Sequence, residues 1–459
     1  MNKKIKEATS IMKDAFRLNY HLMPPHGWMN DPNGLVKIGD TYHIYYQYSP
    51  NEPEGGLKYW GHYTTKNFVQ YKNHGIALSP DHPFDKDGVY SGSAFKTEDE
   101  EVYYYYTGNV IHEGNYDYNH EGREQNTILT TSKDGFRFSK KQLLLRNDDY
   151  GAGLSNHVRD PKVFKEDDAY YMVLGARTSE DIGCVLLFTS KNLTDWQQIH
   201  KYQTREKFGY MWECPDLVKL EDEYYLICCP QGVKQDGYRY EAVYQNGYFK
   251  IGKNLFEKEY LDDFVELDYG HDYYAPQSFS DGPRTIQLAW MGLPDIPYSN
   301  PTVANGWQHA LTIPRELTVK DGKIYQTPIK ELKKLRRNEL HMSLTTGRKF
   351  DCASSTCEVQ VTGVEGAFKI KMGSMHLDFK DGLLTVTLDN GYGRPKKHIE
   401  IDEINTMAIF YDTSSIELFI NEGEKVFTTR VYDKKSPVIS CDQNVSITYF
   451  DLYSIEVEE

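Results

Sequence analysis

YHIYYQY at 42–48 is the stretch whose reading decides the fold, because segments of the same kind recur along the chain. They are VYYYYTG at 102–108, AYYMVLGA at 169–176, EYYLICCP at 223–230 and TIQLAWMG at 285–292. Tyr and Phe favour pleated, half-buried surfaces, so each reads as a strand. A shorter segment precedes each one: NDPNGLVK at 30–37, YSGSAF at 90–95, RDPKVF at 159–164, ECPDLVK at 213–219 and YYAPQSF at 273–279. A third element follows some of them, as in TTKNFVQY at 64–71, TSKDGFRF at 131–138 and TSKNLTDW at 189–196. Self-similarity at a period of roughly 60 residues, with several strands per unit, is the mark of a β-propeller blade. Five units predict five blades, and the segment before each aromatic strand is then the innermost strand, lining the central channel.

The flanking sequence behaves differently. Residues 2–19 place Ile5, Ala8, Ile11, Met12, Ala15 and Phe16 at helical spacing, which predicts a helical arm over 1–20. The propeller is expected over 21–322. TPIKELKKLRRN at 327–338 reads as a short helix in a linker at 323–340. Over 341–459, alternating segments with hairpin signals at Asp381-Gly382 and Asn390-Gly391 predict a β-sandwich. The expected fold is therefore all-β: a five-bladed β-propeller followed by a C-terminal β-sandwich.

A formal net charge of −15 disfavours nucleic acid and anionic membranes as partners, though a few local cations can still hold a small anion. The 7 cysteines are odd in number and contain no CxxC, so neither a disulfide framework nor a zinc site is expected. The first twenty residues carry charges throughout and no apolar core of an export signal, and no apolar run could span a bilayer. A cytoplasmic setting is the expectation. No HExxH, phosphate loop or GxSxG elbow is present, so neither metal nor organic cofactor is expected.

Three inner segments set an acid beside proline: Asp31-Pro32, Asp160-Pro161 and Glu213-Cys214-Pro215. Any one alone is an ordinary turn former. Three at what reads as one phase of a repeat would converge on an axial pocket. Such a cluster suits glycoside hydrolysis, in which one carboxylate attacks and another donates and then removes a proton. Trp28, Trp60, Tyr274 and Trp290 lie near these acids and offer faces to sugar C–H groups. Met29, Asn30, Gln47, Tyr90, Ser91 and Arg159 complete the expected substrate-binding set.

HGWMNDPNG at 26–34, VRDPKVF at 158–164 and WECPDL at 212–217 resemble the three boxes of glycoside hydrolase family 32, a family of invertases, sucrose-6-phosphate hydrolases and fructan hydrolases. YWGH at 59–62, YSGSA at 90–94, DYGHDYYAPQ at 268–277 and ELFINEGEKVFTTR at 417–430 are also similar, so the resemblance runs from about residue 17 to the end. It implies a retaining mechanism without cofactor, with Asp31 as nucleophile, Asp160 as transition-state stabiliser and Glu213 as acid/base, and with Asn30, Gln47, Ser91 and Arg159 on the fructosyl unit. The expected substrates are sucrose, sucrose 6-phosphate or short fructo-oligosaccharides. An exo-acting fructan hydrolase and a sugar-binding propeller without catalysis are the alternatives. Two departures stand near the leaving-group side: Lys58-Tyr59 where Met-His is common, and Arg177 where Gln is common. Each is either a contact for a phosphate or a plain surface cation.

Overall fold

A computed structural model describes residues 14–459. Most of the expected arm at 1–20 lies outside these residues, and those described from Asp14 to Tyr20 form turns. Strands are the regular elements of the described chain, joined by loops and four short 3₁₀ turns.

Five antiparallel sheets follow in sequence. Sheet I holds Gly27–Ile38, Thr41–Ser49, Tyr59–Thr65 and Gln70–Leu78, and sheet II holds Val89–Lys96, Val102–Ile111, Arg123–Ser132 and Gln142–Leu145. Sheet III holds Leu154–Glu166, Ala169–Thr178, Gly183–Ser190 and Gln197–Tyr202. Sheet IV holds Met211–Leu220, Glu223–Gln231, Gly247–Gly252 and Val265–Glu266; sheet V holds Tyr274–Ser280, Thr285–Trp290, Arg315–Lys320 and Lys323–Pro328. The first strand of each sheet packs against the first strand of the next, and that of sheet V packs back on that of sheet I. The ring is closed, and this is a five-bladed propeller.

Local chemistry makes the blades alike. Thr65, Ser132 and Ser190 each accept backbone N–H groups two and three residues on through their hydroxyl oxygens. That turn, a Ser/Thr speciality, ends the third strand of blades I to III. The residue three past each hydroxyl is left-handed: Phe68 (φ 58°), Gly135 (φ 74°) and Leu193 (φ 68°). At position 135 a Cβ would collide with His43, so glycine is required there.

Two further sheets of six strands pack face to face as the sandwich, around a core that includes Val359, Ile409, Leu418, Phe427 and Ile447. Asp381-Gly382 forms the expected two-residue hairpin, both residues at positive φ. Asn390-Gly391 does not; it lies in the longer connection between Leu383–Leu388 and Lys397–Glu400.

The expected boundaries shift. Lys323–Pro328 is no linker but the outer strand of blade V, because Asp321-Gly322 turns the chain back as a tight hairpin. The helix is confined to a 3₁₀ stretch at Lys330–Leu335, which buries Leu332 and Leu335, and the sandwich already begins with Arg336–Leu344. Glu456–Glu458 leaves the sandwich and adds in parallel to the outer edge of sheet I.

Propeller and sandwich meet through charges that are completely out of water. Arg315 donates to Asp268 Oδ2 (3.1 Å) on the propeller, and to Glu417 Oε2 (2.5 Å) and Thr428 Oγ1 (2.7 Å) on the sandwich. Arg394 makes a two-pronged pair with Asp272 (2.9 and 2.8 Å), and His21 bridges Asp412 and Glu417 (2.8 and 2.9 Å). Removing one member of such a network leaves a buried charge without a partner. Arg315→Met is therefore expected to lower stability by about 3–5 kcal/mol, read as a fall in the urea midpoint; an unchanged midpoint would show that the network does not hold the two domains.

Candidate active site

Every inner strand carries a bulge at the same depth. Two residues face one on the neighbouring strand at Asn30-Asp31, Tyr90-Ser91, Asp160-Pro161, Cys214-Pro215 and Ala275-Pro276. Bulges re-aim side chains, and five of them around one ring turn a set of residues into the axial opening. Asp160 (φ 62°), Cys214 (φ 48°) and Ala275 (φ 49°) each take left-handed backbone just before a proline, a strained arrangement of the sort stored at working sites. The acids do not share one position, as the repeat suggested. Asp160 is the first residue of its bulge, Asp31 the second, and Glu213 is the paired residue just before its bulge.

The three carboxyl groups nevertheless meet, and Cys214 shows it. Its backbone N–H donates to Asp160 Oδ2 (2.9 Å), its Sγ lies 3.6 Å from Asp31 Oδ2, and its peptide neighbour is Glu213. Asp31 is held by Ser91 Oγ (2.5 Å) on Oδ2 and by Asn30 Nδ2 (3.1 Å) on Oδ1. A line of donors stands behind it: Trp28 Nε1 donates to Asn30 Oδ1 (2.8 Å), Asn30 Nδ2 also donates to Gln47 Oε1 (3.0 Å), and Gln47 Nε2 donates to Ser91 Oγ. Glu213 accepts from Arg159 on Oε1 (2.5 and 3.0 Å), and from Gln231 Nε2 and Tyr274 OH on Oε2 (2.7 Å each). Its side chain keeps 15% of its surface open, whereas Asp160 and Asp31 are buried.

Burial governs the electrostatics. Loss of water pushes Asp160 up to about 7; Arg159 opposes this, while Glu213 and Asp31 add to it. Asp31 is also raised, chiefly by burial, against the hydrogen bonds from Ser91 and Asn30. Arg159 is raised although burial opposes it, because Glu213 and Asp160 hold its charge. The raised Asp160 lessens the negative charge that three acids would otherwise gather in one pocket.

The other expected residues divide. Trp28 is half-buried beside the acids and packs on Trp290 (centroids 5.6 Å) and His309 (4.3 Å); Tyr90 stays half-buried at its bulge. Trp290 is almost wholly buried, edge-on to Tyr274 and His309, so it backs the pocket wall. Met29 and Trp60 have no exposed surface. Met29 sits in the core of blade I, and the Trp60 indole N–H is spent on the Tyr90 carbonyl (3.0 Å), so neither offers a face to sugar. Gln231, Thr107 and Cys214, all in contact with the acids, were not singled out in the sequence. Gln231 ends the second strand of blade IV as Gln47 nearly ends that of blade I, and that parallel was the available signal. Among the described residues one cluster of metal-ligand type occurs away from the pocket, at Asp81, His82 and Asp85, where Lys141 Nζ already pairs with Asp81 and Asp85 (2.6 and 2.8 Å).

A closed ring of sheets that gathers three carboxyl groups into one pocket has the parts that a glycosidase needs. Residues 21–328 match the N-terminal domain of glycosyl hydrolases family 32, and residues 346–454 match its C-terminal domain, so the chain belongs to that family. It is 40% identical to the sucrose-6-phosphate hydrolase of Bacillus subtilis, over 91% of this chain and 89% of that protein. It is 36% identical to a raffinose invertase of Escherichia coli, over 90% and 89%. The solved sucrose-6-phosphate hydrolase of Lactobacillus gasseri superposes with a TM-score of 0.86 at 27% identity, over 96% of this chain and 94% of that one. A β-fructofuranosidase of Bombyx mori, solved as a mutant with sucrose, gives 0.84 at 28%, over 97% and 95%.

The raised Asp160 carries a consequence for stability. A carboxyl whose folded pKa lies above its unfolded value favours the fold while it is protonated, and that contribution is lost as pH rises from about 4 through about 7. Asp160→Asn removes the charge, keeps an acceptor for the Cys214 N–H and tolerates the left-handed backbone. The variant is expected to melt higher than the parent at about pH 8 and to lose that advantage by about pH 4; an advantage independent of pH would show that Asp160 is not held protonated.

Proposed function

We propose that the chain hydrolyses the bond between the glucosyl unit and a terminal β-fructofuranosyl unit, with retention, acting on sucrose or sucrose 6-phosphate and releasing fructose. The observation that carries the reading is the meeting of Asp31, Asp160 and Glu213 around Cys214, in a chain whose curated relatives bear the names of sucrose-6-phosphate hydrolases and invertases.

Asp31 is the nucleophile in this reading. Its Oδ2 is fixed by Ser91, and it attacks the anomeric carbon of the fructosyl unit to form a covalent ester. Glu213 is the acid/base. It is the most open of the three, it faces the rim where the leaving sugar must sit, and Arg159, Gln231 and Tyr274 fix both of its oxygens. It protonates the departing glucosyl oxygen and then takes a proton from the water that cleaves the ester. Asp160 holds fructosyl hydroxyls and, as its carboxylate, steadies the oxocarbenium-like transition state. Asn30, Gln47 and Ser91 serve both the sugar and the nucleophile, and Trp28 gives an apolar wall. A reducing, cytoplasmic workplace is supported by seven buried cysteines that form no disulfide among the described residues.

Asp31→Asn is expected to cut kcat on sucrose or sucrose 6-phosphate by about four orders of magnitude, with sugar binding retained. Loss of no more than a few-fold would remove Asp31 from the nucleophile's role. Ser91→Ala gives a sign test. The Ser91 hydroxyl favours the charged Asp31, so its loss raises that carboxyl further. The acidic limb of kcat/KM, set by the need for an ionised nucleophile, should move to higher pH. A limb that stays in place or moves down would contradict the assignment.

A further inference from the structure

The wall of the pocket between blades II and III carries more positive charge than the mechanism uses. Arg159 is absorbed by Glu213, but two more guanidinium groups stand close by. Arg123 opens the third strand of blade II, and Arg177 nearly closes the second strand of blade III. These strand ends lie at the same end of the ring as the bulges, because inner and second strands run antiparallel. Asn119 joins the group: its Oδ1 accepts from Arg177 NH1 (3.1 Å) and from His157 Nε2 (3.0 Å). His157 Nδ1 in turn accepts from Arg159 NH1 (2.7 Å), so the patch lies one side chain away from the acid/base.

Arg123 is what makes this wall unusual. No carboxylate lies within ion-pair distance of it among the described residues, and its buried Nε has no hydrogen-bond partner. In a chain with a net charge of −15, an arginine left unpaired beside another arginine is a cost to the folded state. His157 registers the local field. Burial and then Arg159, Arg123 and Arg177 drive it down to about 2, so the imidazole stays neutral among the guanidinium groups. Arg123, Arg177 and Asn119 are all half-exposed, so a solute entering the pocket can reach them.

We propose that Arg123 and Arg177, with Asn119 between blades II and III, take the phosphate of a substrate phosphorylated on its leaving sugar. The inference rests on the glycosidase reading above and deepens it by naming the residues that recognise the leaving group. The location fits: the leaving sugar must touch Glu213, and this wall begins at the arginine paired with Glu213. The chemistry fits as well. Guanidinium groups match phosphate oxygens in forks, and a dianion supplies the partner that Arg123 lacks.

The other cation raised by the sequence, Lys58, is placed differently. Its Nζ donates to Ser49 Oγ (3.0 Å) and lies over the Trp28 ring (4.9 Å), on the side of Asp31. Burial pulls it down to about 8 even with Asp31 opposing. A phosphate there would crowd the proposed nucleophile with like charge. Arg177 also pairs with Asp181 Oδ1 (2.7 Å), a partly exposed contact that an incoming phosphate can share or displace.

The test compares sucrose with sucrose 6-phosphate in the full chain, using Arg123→Gln, Arg177→Gln, the double variant and Lys58→Gln, each checked for a melting temperature no lower than the parent's. The parent should prefer sucrose 6-phosphate. Each arginine variant should lose about tenfold or more in kcat/KM on that substrate, mainly through KM, as expected for a lost charge-assisted contact. Activity on sucrose should hold within about threefold. Inhibition by glucose 6-phosphate should weaken in parallel, and Lys58→Gln should keep the preference. Equal losses on both sugars, an unaltered preference, or a preference abolished by Lys58→Gln would overturn the assignment. A parent that cleaves both sugars equally well would also overturn it while leaving the glycosidase reading intact, whereas a parent inert on both would sink that reading itself.

Discussion

Closing five sheets into one ring forces their inner strands together, and this protein spends that convergence on a set of bulges. At one depth in every inner strand two residues face one, and the extra residue cannot lie flat in the ladder. Side chains that a regular strand would bury within a blade are turned toward the axis. Asp31, Ser91, Asp160 and Cys214 all sit within these bulges, and Glu213 stands at the edge of one. The left-handed backbone at Asp160 and Cys214 is the local strain of this arrangement, and the closed ring holds it in place.

Bringing acids together this way is electrostatically costly, and the surroundings show how the cost is met. Arg159 lies against Glu213, Ser91 and Asn30 donate to Asp31, and the Cys214 N–H donates to Asp160. These interactions do not cancel the loss of water, so Asp160 and Asp31 both remain raised. The sandwich contributes from behind. Its buried Glu417, Thr428, Arg394 and Arg430 fasten onto the propeller segments carrying Asp268, Asp272 and Arg315, next to the strand that supplies Tyr274. The second domain thereby braces the blade whose tyrosine holds Glu213.

Much of this was legible in the sequence, for definite reasons. The aromatic strands announced the five blades because each repeats the same half-buried pleat, and the acid–proline pairs announced the pocket because proline stands within the bulge in three blades and directly after it in a fourth. Other features were hidden. The one-residue offsets of Asp31, Asp160 and Glu213 depend on strand register, which motif alignment cannot fix. Met29 looked like a sugar contact because it neighbours Asp31 in sequence, and Trp60 because of the YWGH segment that holds it; alternation along each strand turns them into the blades instead. Arg123 carried no signal, since an unpaired arginine is recognised only by what does not surround it. The linker helix failed because Asp321-Gly322 extended blade V by one more strand, leaving only a 3₁₀ turn before the sandwich.

The central claim is that Asp31 attacks while Glu213 serves as acid and then base. Replacing Glu213 with Gln removes the base from the second step, and a fructosyl donor with a good leaving group bypasses the acid in the first. Quenching that reaction in acid and mapping the digested protein by mass spectrometry should place a covalent fructosyl group on Asp31. Label on a different residue, or continued turnover with no adduct, would contradict the account.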